Sequence, residues 1–248
     1  MTLKSTILGL SPAIYWPLDD ATGPTIADAT GNGHSGFATA NTSLLATGPE
    51  PGTDCMATSS SFSGVQLLGA NPLTGTGPFS FVVWIGLASL SVGDNELIYN
   101  GISNQDGEGL LLGTNNQVRI IRGGLEVVSA GGLISAGVWH MLAHTFNTSG
   151  NRLTYVDGTL TDTHAAGIPN TVSAGDWCRA FTPAAGLLAH AAFWTSVISG
   201  ANISNIWSAG PGANHAAAVN QAGVVTAGQL VTAIDLLNLI YAAVHKTY

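Results

Sequence analysis

Charge is what this chain has least of: 8% of its 248 residues are Asp, Glu, Lys or Arg, where about a quarter is usual for a soluble domain. The six cations, Lys4, Arg119, Arg122, Arg152, Arg179 and Lys246, lie scattered along the sequence. With a net charge of −8 there is no basic footprint for a phosphate backbone, and nucleic-acid binding is not expected. Long apolar runs are missing too. No stretch reaches the roughly 18 residues that a bilayer-spanning helix requires, so membrane insertion is not expected either. Cysteine is reduced to Cys55 and Cys178. Two thiols allow one pairing, and spacing alone leaves open whether their Cα atoms come close enough to bridge. The N-terminus holds only the short Ile7-Leu-Gly-Leu10 stretch before Pro12, which does not read as a cleavable leader.

With ions scarce, Ser, Thr, Asn, Gly and Ala must cover most of the surface. Such a surface suits burial against neighbouring subunits, where stranded charge is costly. It suits equally a small-residue-rich soluble domain in a secreted or high-salt setting. What the chain does have is 32 glycines punctuating short β-branched and aromatic runs. Strands are expected at 13–18, 37–46 and within 55–68. The run Phe79-Ser-Phe-Val-Val-Trp-Ile85 has the composition of a central strand. Further strands are expected at 96–99, 109–113, 117–122, 125–128, 138–146, 152–156, 160–164 and 186–195. Asn115-Asn116 and Asp157-Gly158 are the clearest hairpin turns between them. So many short strands, with no long helical pattern before residue 196, define an all-β, two-sheet antiparallel sandwich.

The pattern changes after that. Residues 199–207 can make about two helical turns, with Ile203, Ile206 and Trp207 on one face. Residues 210–225 read as a Gly/Ala-rich connector. Thr226 then caps a helix running to about residue 245, with Gln229 as its capping-box partner. Leu230, Ile234, Leu237, Tyr241 and Val244 form its apolar stripe. That stripe either covers the sandwich or docks on a partner or on symmetry mates. The sandwich itself occupies residues 11–209, and the N-terminal segment 1–10 can share in docking.

Trp16, Trp84, Trp139 and Trp194 fall inside strand patterns and are expected in the core. Trp177 lies in Gly175-Asp-Trp-Cys-Arg179, read as a loop, and is the better candidate for an exposed ring. With Asp176 and Arg179 it forms the candidate ligand-binding set. The four glutamates, Glu50, Glu96, Glu108 and Glu126, form no acid–base pair along the sequence. There is no His-Glu-x-x-His and no Gly-x-Ser-x-Gly nucleophile elbow. His140 and His144 share one strand face about 13 Å apart, too far for one metal. Gly31, Gly33 and Gly36 lack the Lys and the following helix of a phosphate-binding loop. No catalysis is expected.

Four motifs in order carry a family resemblance. Tyr15-Trp-Pro-Leu-Asp-Asp20 through Asp28-Ala-Thr-Gly-Asn-Gly-His-Ser-Gly36 resembles the opening of LamG-like (laminin G-like) domains of the concanavalin A-like lectin/glucanase superfamily. Phe79-Ser-Phe-Val-Val-Trp84 resembles their central strand. Trp139-His-Met-Leu-Ala-His-Thr-Phe146 and Leu153-Thr-Tyr-Val-Asp-Gly158 resemble the strand and hairpin near the middle. Ala191-Ala-Phe-Trp194 with the 199–207 helix resembles the close. The resemblance covers residues 11–209 and implies a two-sheet jelly roll, here with a C-terminal helical appendage. Some LamG relatives bind calcium, for which Asp19, Asp20 and Asp28 are the candidate oxygen ligands. They often carry acidic residues in the closing strand, where this chain has Leu188-Ala-His-Ala191, so no metal or other cofactor is expected. Glycosidases of the superfamily use paired glutamates about 5 Å apart, a pairing this chain lacks.

Domains with this opening occur in bacterial surface proteins and in bacteriophage virion proteins. The expectation is a non-enzymatic virion structural protein, a capsid decoration at the head surface, whose partners are other virion proteins or copies of itself. The alternative is a carbohydrate-binding or host-adhesion module, in a tail or fibre protein or a bacterial adhesin. Loops around 94–108 and 170–182 would then meet cell-surface glycans. A third option, a secreted bacterial LamG protein, would carry an oxidised Cys55–Cys178 pair.

Overall fold

The computed structural model describes residues 2–50, 53–59, 63–90, 95–102, 105–113, 116–123, 125–127, 134–165, 171–182 and 185–210. The helix read at 226–245, with Leu230, Ile234, Leu237, Tyr241 and Val244, lies outside these residues.

The alternating runs form two eight-stranded sheets. Sheet A holds β1 (Ile14–Trp16), β4 (Thr42–Thr47), β5 (Asp54–Thr58), β7 (Phe79–Leu87), β12 (Trp139–Phe146), β13 (Asn151–Val156), β14 (Thr159–Ala165) and β16 (Gly186–Trp194). Sheet B holds β2 (Thr25–Ile26), β3 (Gly36–Ala38), β6 (Ser63–Leu67), β8 (Asn95–Asn100), β9 (Glu108–Leu112), β10 (Val118–Arg122), β11 (Leu125–Val127) and β15 (Cys178–Thr182). The order across sheet A is β14-β13-β12-β7-β16-β5-β4, with β1 also on β16, and across sheet B it is β11-β10-β9-β8-β15-β6-β3-β2. The ladders are antiparallel. The chain is therefore an all-β sandwich of the jelly-roll, concanavalin A-like kind.

Between the sheets, Trp16, Phe79, Phe81, Phe146 and Phe193 of sheet A meet Val65, Ile98, Leu110, Val118 and Ile120 of sheet B. A second apolar layer covers the outer face of sheet A and contains Tyr15, Trp84, Trp139, Met141 and Trp194. The continuous run in β7 follows from this: every residue of that strand is buried, because both faces of the sheet are covered.

Two helices supply the cover. In α1 (Leu3–Leu8), Thr2 caps the N-terminus by accepting a hydrogen bond from the Ser5 amide, and Leu3 and Ile7 point inward. In α2 (Gly200–Ala209), Ser199 caps through the Asn202 amide, and Ile203 and Ile206 are buried. Trp207 stacks flat on Trp84, with ring centroids 5.0 Å apart. The two helices touch each other. Helices this short are unstable alone in water, so tertiary burial holds them. Leu3 and Ile7 each contribute about 1.5–3 kcal/mol by that burial. The segment 1–10, read as able to share in docking, forms α1, which packs Leu3 and Ile7 on the protein's own sheet and leaves Lys4 and Ser5 exposed.

The hairpin at Asp157-Gly158 forms as read, with both residues at positive φ. Gly158 is demanded twice, since a Cβ there would also stand 2.8 Å from the Trp207 side chain. Two expectations change. The 37–46 strand divides into β3 and β4, in different sheets, because the chain crosses between them at Thr39–Asn41, where Asn41 takes φ 62. The strands expected within 55–68 are β5 and β6, which likewise belong to different sheets. The stretch after Trp177, read as loop, is the strand β15 inside sheet B. Cys55 and Cys178, whose pairing the sequence leaves open, are both free thiols. Cys55 belongs to the layer outside sheet A and Cys178 to the core between the sheets, so their side chains lie on opposite sides of sheet A.

Candidate ligand-binding face

The outer face of sheet B has no helical cover among the described residues, and pairing registers place its residues in rows. One row runs Thr25, Phe37, Gln66, Arg179, Tyr99, Gly109 and Ile121 across β2, β3, β6, β15, β8, β9 and β10. Strand alternation puts these on one face, opposite Val65, Ile98 and Ala180 in the core. Trp177 lies two residues from Arg179, on the same side. Phe37, Leu68 and Trp177 are 44%, 53% and 41% exposed, which makes them three of the most exposed large apolar side chains described. Phe37 and Trp177 stand two strands and two residues apart, roughly 12 Å between Cα atoms.

Arg179 organises this face. Its guanidinium donates Nε–H and NH2 hydrogen bonds to the two carboxylate oxygens of Glu96, the second at 2.8 Å. Both side chains are almost fully buried. The same guanidinium lies over the rings of Trp177 at 5.2 Å, Tyr99 at 5.6 Å and Phe181 at 5.8 Å. A planar cation packs well against aromatic faces, and its pairing with Glu96 removes the cost of a lone buried charge. Trp177 thus has one face backed by a fixed cation while a large part of its surface meets solvent. It cannot fold inward without displacing a desolvated ion pair.

The surrounding loops lock that ring in place. Asp176, expected as a ligand contact, accepts from the Ser173 amide and closes the turn before Trp177; it is buried and acts as a support. The Trp177 carbonyl accepts from the Gly101 amide at 2.7 Å. Beneath it, the Asn71 side-chain amide donates to Asn100 Oδ1 at 2.8 Å, and the Cys178 thiol donates to both side-chain carbonyls. Burial pushes the Cys178 thiol pKa well up, so it stays a protonated donor. Tyr99 donates its O–H to the Asp106 carbonyl at 2.8 Å. Its ring lies across Gly109, where a Cβ would come within 2.4 Å. Of the three expected ligand residues, then, Trp177 is exposed, while Arg179 and Asp176 hold it. Phe37, Gln66 and Leu68 were not singled out by sequence, since only strand order makes them neighbours of Trp177.

The calcium candidates serve other ends. Asp28 accepts from the Tyr15, Thr30 and His34 amides and from the Thr30 hydroxyl. Burial would raise its pKa, but those hydrogen bonds outweigh it and hold the carboxyl below its ordinary range. Asp20 accepts from the Ala27 amide at 2.9 Å, and its pKa is raised, chiefly by burial. Asp19 faces Lys4 at 3.3 Å at the surface. Among the described residues no three His, Cys, Asp or Glu side chains converge as a metal site.

Other ionisable groups are absorbed into the core. Glu108 of sheet B reaches across to sheet A, accepting from His144 Nε2–H at 2.6 Å and Arg152 Nε–H at 2.5 Å, all fully buried. The Arg152 guanidinium lies 4.9 Å from the Phe146 ring centre. His140 donates through Nδ1 to Asp157 at 2.8 Å and accepts the Ser135 amide at Nε2. Glu96 and Glu108 each face a cation, an arrangement that holds a carboxylate in place, and among the described residues neither pairs with a second carboxyl for acid–base work.

The fold and this face define a lectin-like β-sandwich. The sequence matches the concanavalin A-like lectin/glucanases superfamily over residues 59–204, and the chain belongs to that superfamily. No curated protein sequence matches it. Among solved structures, it is similar to domain 4 of an extracellular arabinanase from Geobacillus stearothermophilus, in complex with arabinotriose. The identity is 14% and the TM-score 0.62, covering 79% of this chain and 97% of that one. It is also similar to the botulinum neurotoxin serotype D ligand binding domain in complex with N-acetylneuraminic acid. There the identity is 14% and the TM-score 0.63, with 84% of this chain and 52% of that one covered. The binding domain of Paraclostridial Mosquitocidal Protein 1 gives 12% identity and a TM-score of 0.63, over 81% of this chain and 52% of that one. The chain spans about half the length of these two toxin domains. At these identities the likeness is one of fold. No described helix is long and apolar enough to cross a membrane.

Proposed function

We propose that this domain is a non-catalytic carbohydrate-binding module whose ligand lies on the outer face of sheet B. The observation that carries the reading is Trp177, 41% exposed and backed by the Arg179–Glu96 pair. A pyranose or furanose ring presents a flat face of C–H bonds, which lies well against the negative face of an indole. A ring already held in place loses little freedom on binding. Gln66 between Phe37 and Trp177 supplies an amide donor and acceptor for sugar hydroxyls. Two proteins of the same fold were solved with an arabinotriose and an N-acetylneuraminic acid, which favours recognition of sugars over other ligands.

Binding of the chain to a panel of immobilised glycans tests this. At least one is expected to bind, with affinity falling about thirtyfold or more for Trp177→Ala, the scale of a central aromatic anchor. A folded protein that binds no glycan, or one whose binding ignores Trp177, overturns the reading. The particle-surface reading ranks second. The low charged content favours it, since uncharged surfaces are easily covered by neighbouring subunits. Its docking helix lies outside the described residues, and co-sedimentation of the chain with intact particles is its test.

A further inference from the structure

We propose that a hydroxyl-lined groove beside Phe37 is a second subsite, so that the domain takes an extended, neutral oligosaccharide and not a single terminal sugar. This rests on the platform at Trp177 described above and names the class of ligand it holds.

The groove, open to solvent, lies between residues 21–24 and 38–45 and has a volume of about 520 Å³. One wall, through Gly23 and Pro24, leads directly into β2. The other, from Ala38 to Leu45, is the crossing from β3 of sheet B to β4 of sheet A. Thr25 pairs with Phe37, so the two walls flank the very rung that carries Phe37. By the strand registers, the line from Trp177, just before β15, through Gln66 on β6 passes beside Phe37 and meets β3 at its end, at Thr39, which lines the groove. A chain stacked on Trp177 and passing beside Phe37 therefore reaches this lip.

The lining chemistry suits a sugar chain. Thr22, Asn41 and Ser43 are exposed and offer hydroxyl and amide groups, while Leu44 and Leu45 supply apolar floor. Among the described residues that line the groove none carries a charged side chain. At the platform end, the Arg179 cation is neutralised by Glu96, and the chain as a whole carries −8. Among the described residues, an anionic sugar would meet along this path only the neutralised Arg179 cation, and the net negative charge would repel it at long range. A neutral sugar meets hydrogen-bonding groups and two aromatic rings. The backbone here is also held by the fold: the Thr42 hydroxyl bonds the Thr39 carbonyl at 2.8 Å and the Ser59 amide bonds the Asn41 carbonyl at 2.9 Å.

The test titrates the full chain with arabinan, xylan and glucan oligosaccharides, from disaccharide to hexasaccharide, beside a sialylated oligosaccharide. Immobilised cell-surface glycans carrying the same units form a parallel arm, separating a free polysaccharide from a displayed one as the source. Affinity is expected to rise about tenfold or more with length in at least one neutral series. Thr22→Ala with Ser43→Ala, and separately Ser43→Trp to fill the groove, should remove that gain while leaving the short sugar's affinity unchanged. Both positions are exposed, so folding should persist, which thermal melting checks. Trp177→Ala should abolish binding at every length. If short sugars bind through Trp177 but affinity is flat with length, or the groove variants behave as wild type, the subsite is wrong and the platform stands. If the sialylated ligand binds more tightly than every neutral series, the neutral preference is wrong. If nothing binds a folded chain, the platform reading fails and the subsite with it.

Discussion

The two outer faces of this sandwich carry indoles of opposite fate. On sheet A, Trp84, Trp139 and Trp194 are buried beneath α1 and α2, and Trp84 is covered by the ring of Trp207. On sheet B, Trp177 is backed by Arg179 from within and nothing described lies over it. Both arrangements stack a flat group on an indole. Only the second leaves ring surface open, so the cover over a face, and not the residue type, separates a core aromatic from an exposed one.

The comparison can be broken most sharply where the two sheets are joined. Glu108→Ala leaves Arg152 and His144 buried without their shared carboxylate and should cost about 3–5 kcal/mol, the scale for a broken buried ion pair. Urea denaturation measures it. A loss below about 1 kcal/mol would mean that the sheets are not tied across the core in this way.

The covered face should be sensitive to acid. His190 sits beneath α1 with Nδ1 accepting from the Tyr15 hydroxyl at 2.6 Å, and Glu50 3.7 Å from Nε2. Burial pushes its pKa down to about 4, against an opposing pull from Asp19 and with help from Lys4. An unfolded histidine titrates near 6.5, so between these values the unfolded chain holds a proton that the folded one refuses. Stability is therefore whole above about pH 6.5 and declines as pH falls toward 4, by up to about 3 kcal/mol. His190→Asn removes the titration and tolerates the left-handed backbone, φ 52. Urea midpoints across this pH window should fall less steeply in the variant; an unchanged slope would acquit His190.

Uncovering sheet A tests the cover itself. Ile7→Ala should cost about 2–3 kcal/mol and increase binding of a hydrophobic dye, as α1 loosens over Trp194 and its neighbours. No gain in dye binding would argue that α1 is dispensable. The smallest effect on stability belongs to the open face. Trp177→Ala should change it by about 1 kcal/mol or less, even though it removes ligand binding. A loss matching Glu108→Ala would make Trp177 a core residue and close the comparison against us.

Much of the fold was legible in sequence because it depends on local rules. The β-branched and aromatic runs in 138–146 and 152–156, the left-handed preference of Asp157-Gly158 and the apolar face of Ile203, Ile206 and Trp207 act over a few residues. The splitting of 37–46 was not legible, since nothing local says that β3 and β4 join different sheets. β15 was mistaken for loop because an arginine inside a short strand reads as surface. Glu96, 83 residues away, is what makes it admissible. The N-terminal helix was missed for a related reason: six residues carry almost no helical signal until Leu3 and Ile7 find an apolar layer.

By itself, the sequence determined that short strands would pair into a sandwich with an apolar centre and few ions, because alternation and turn chemistry are encoded within a few residues. It also marked Trp177 as the odd indole. Tertiary structure alone decided that Phe37, Gln66 and Trp177 share one open face, that Arg179 braces it, and that helices close the other. Strand neighbours and registers are chosen by how the whole core packs, and groups dozens of residues apart meet only when it has done so.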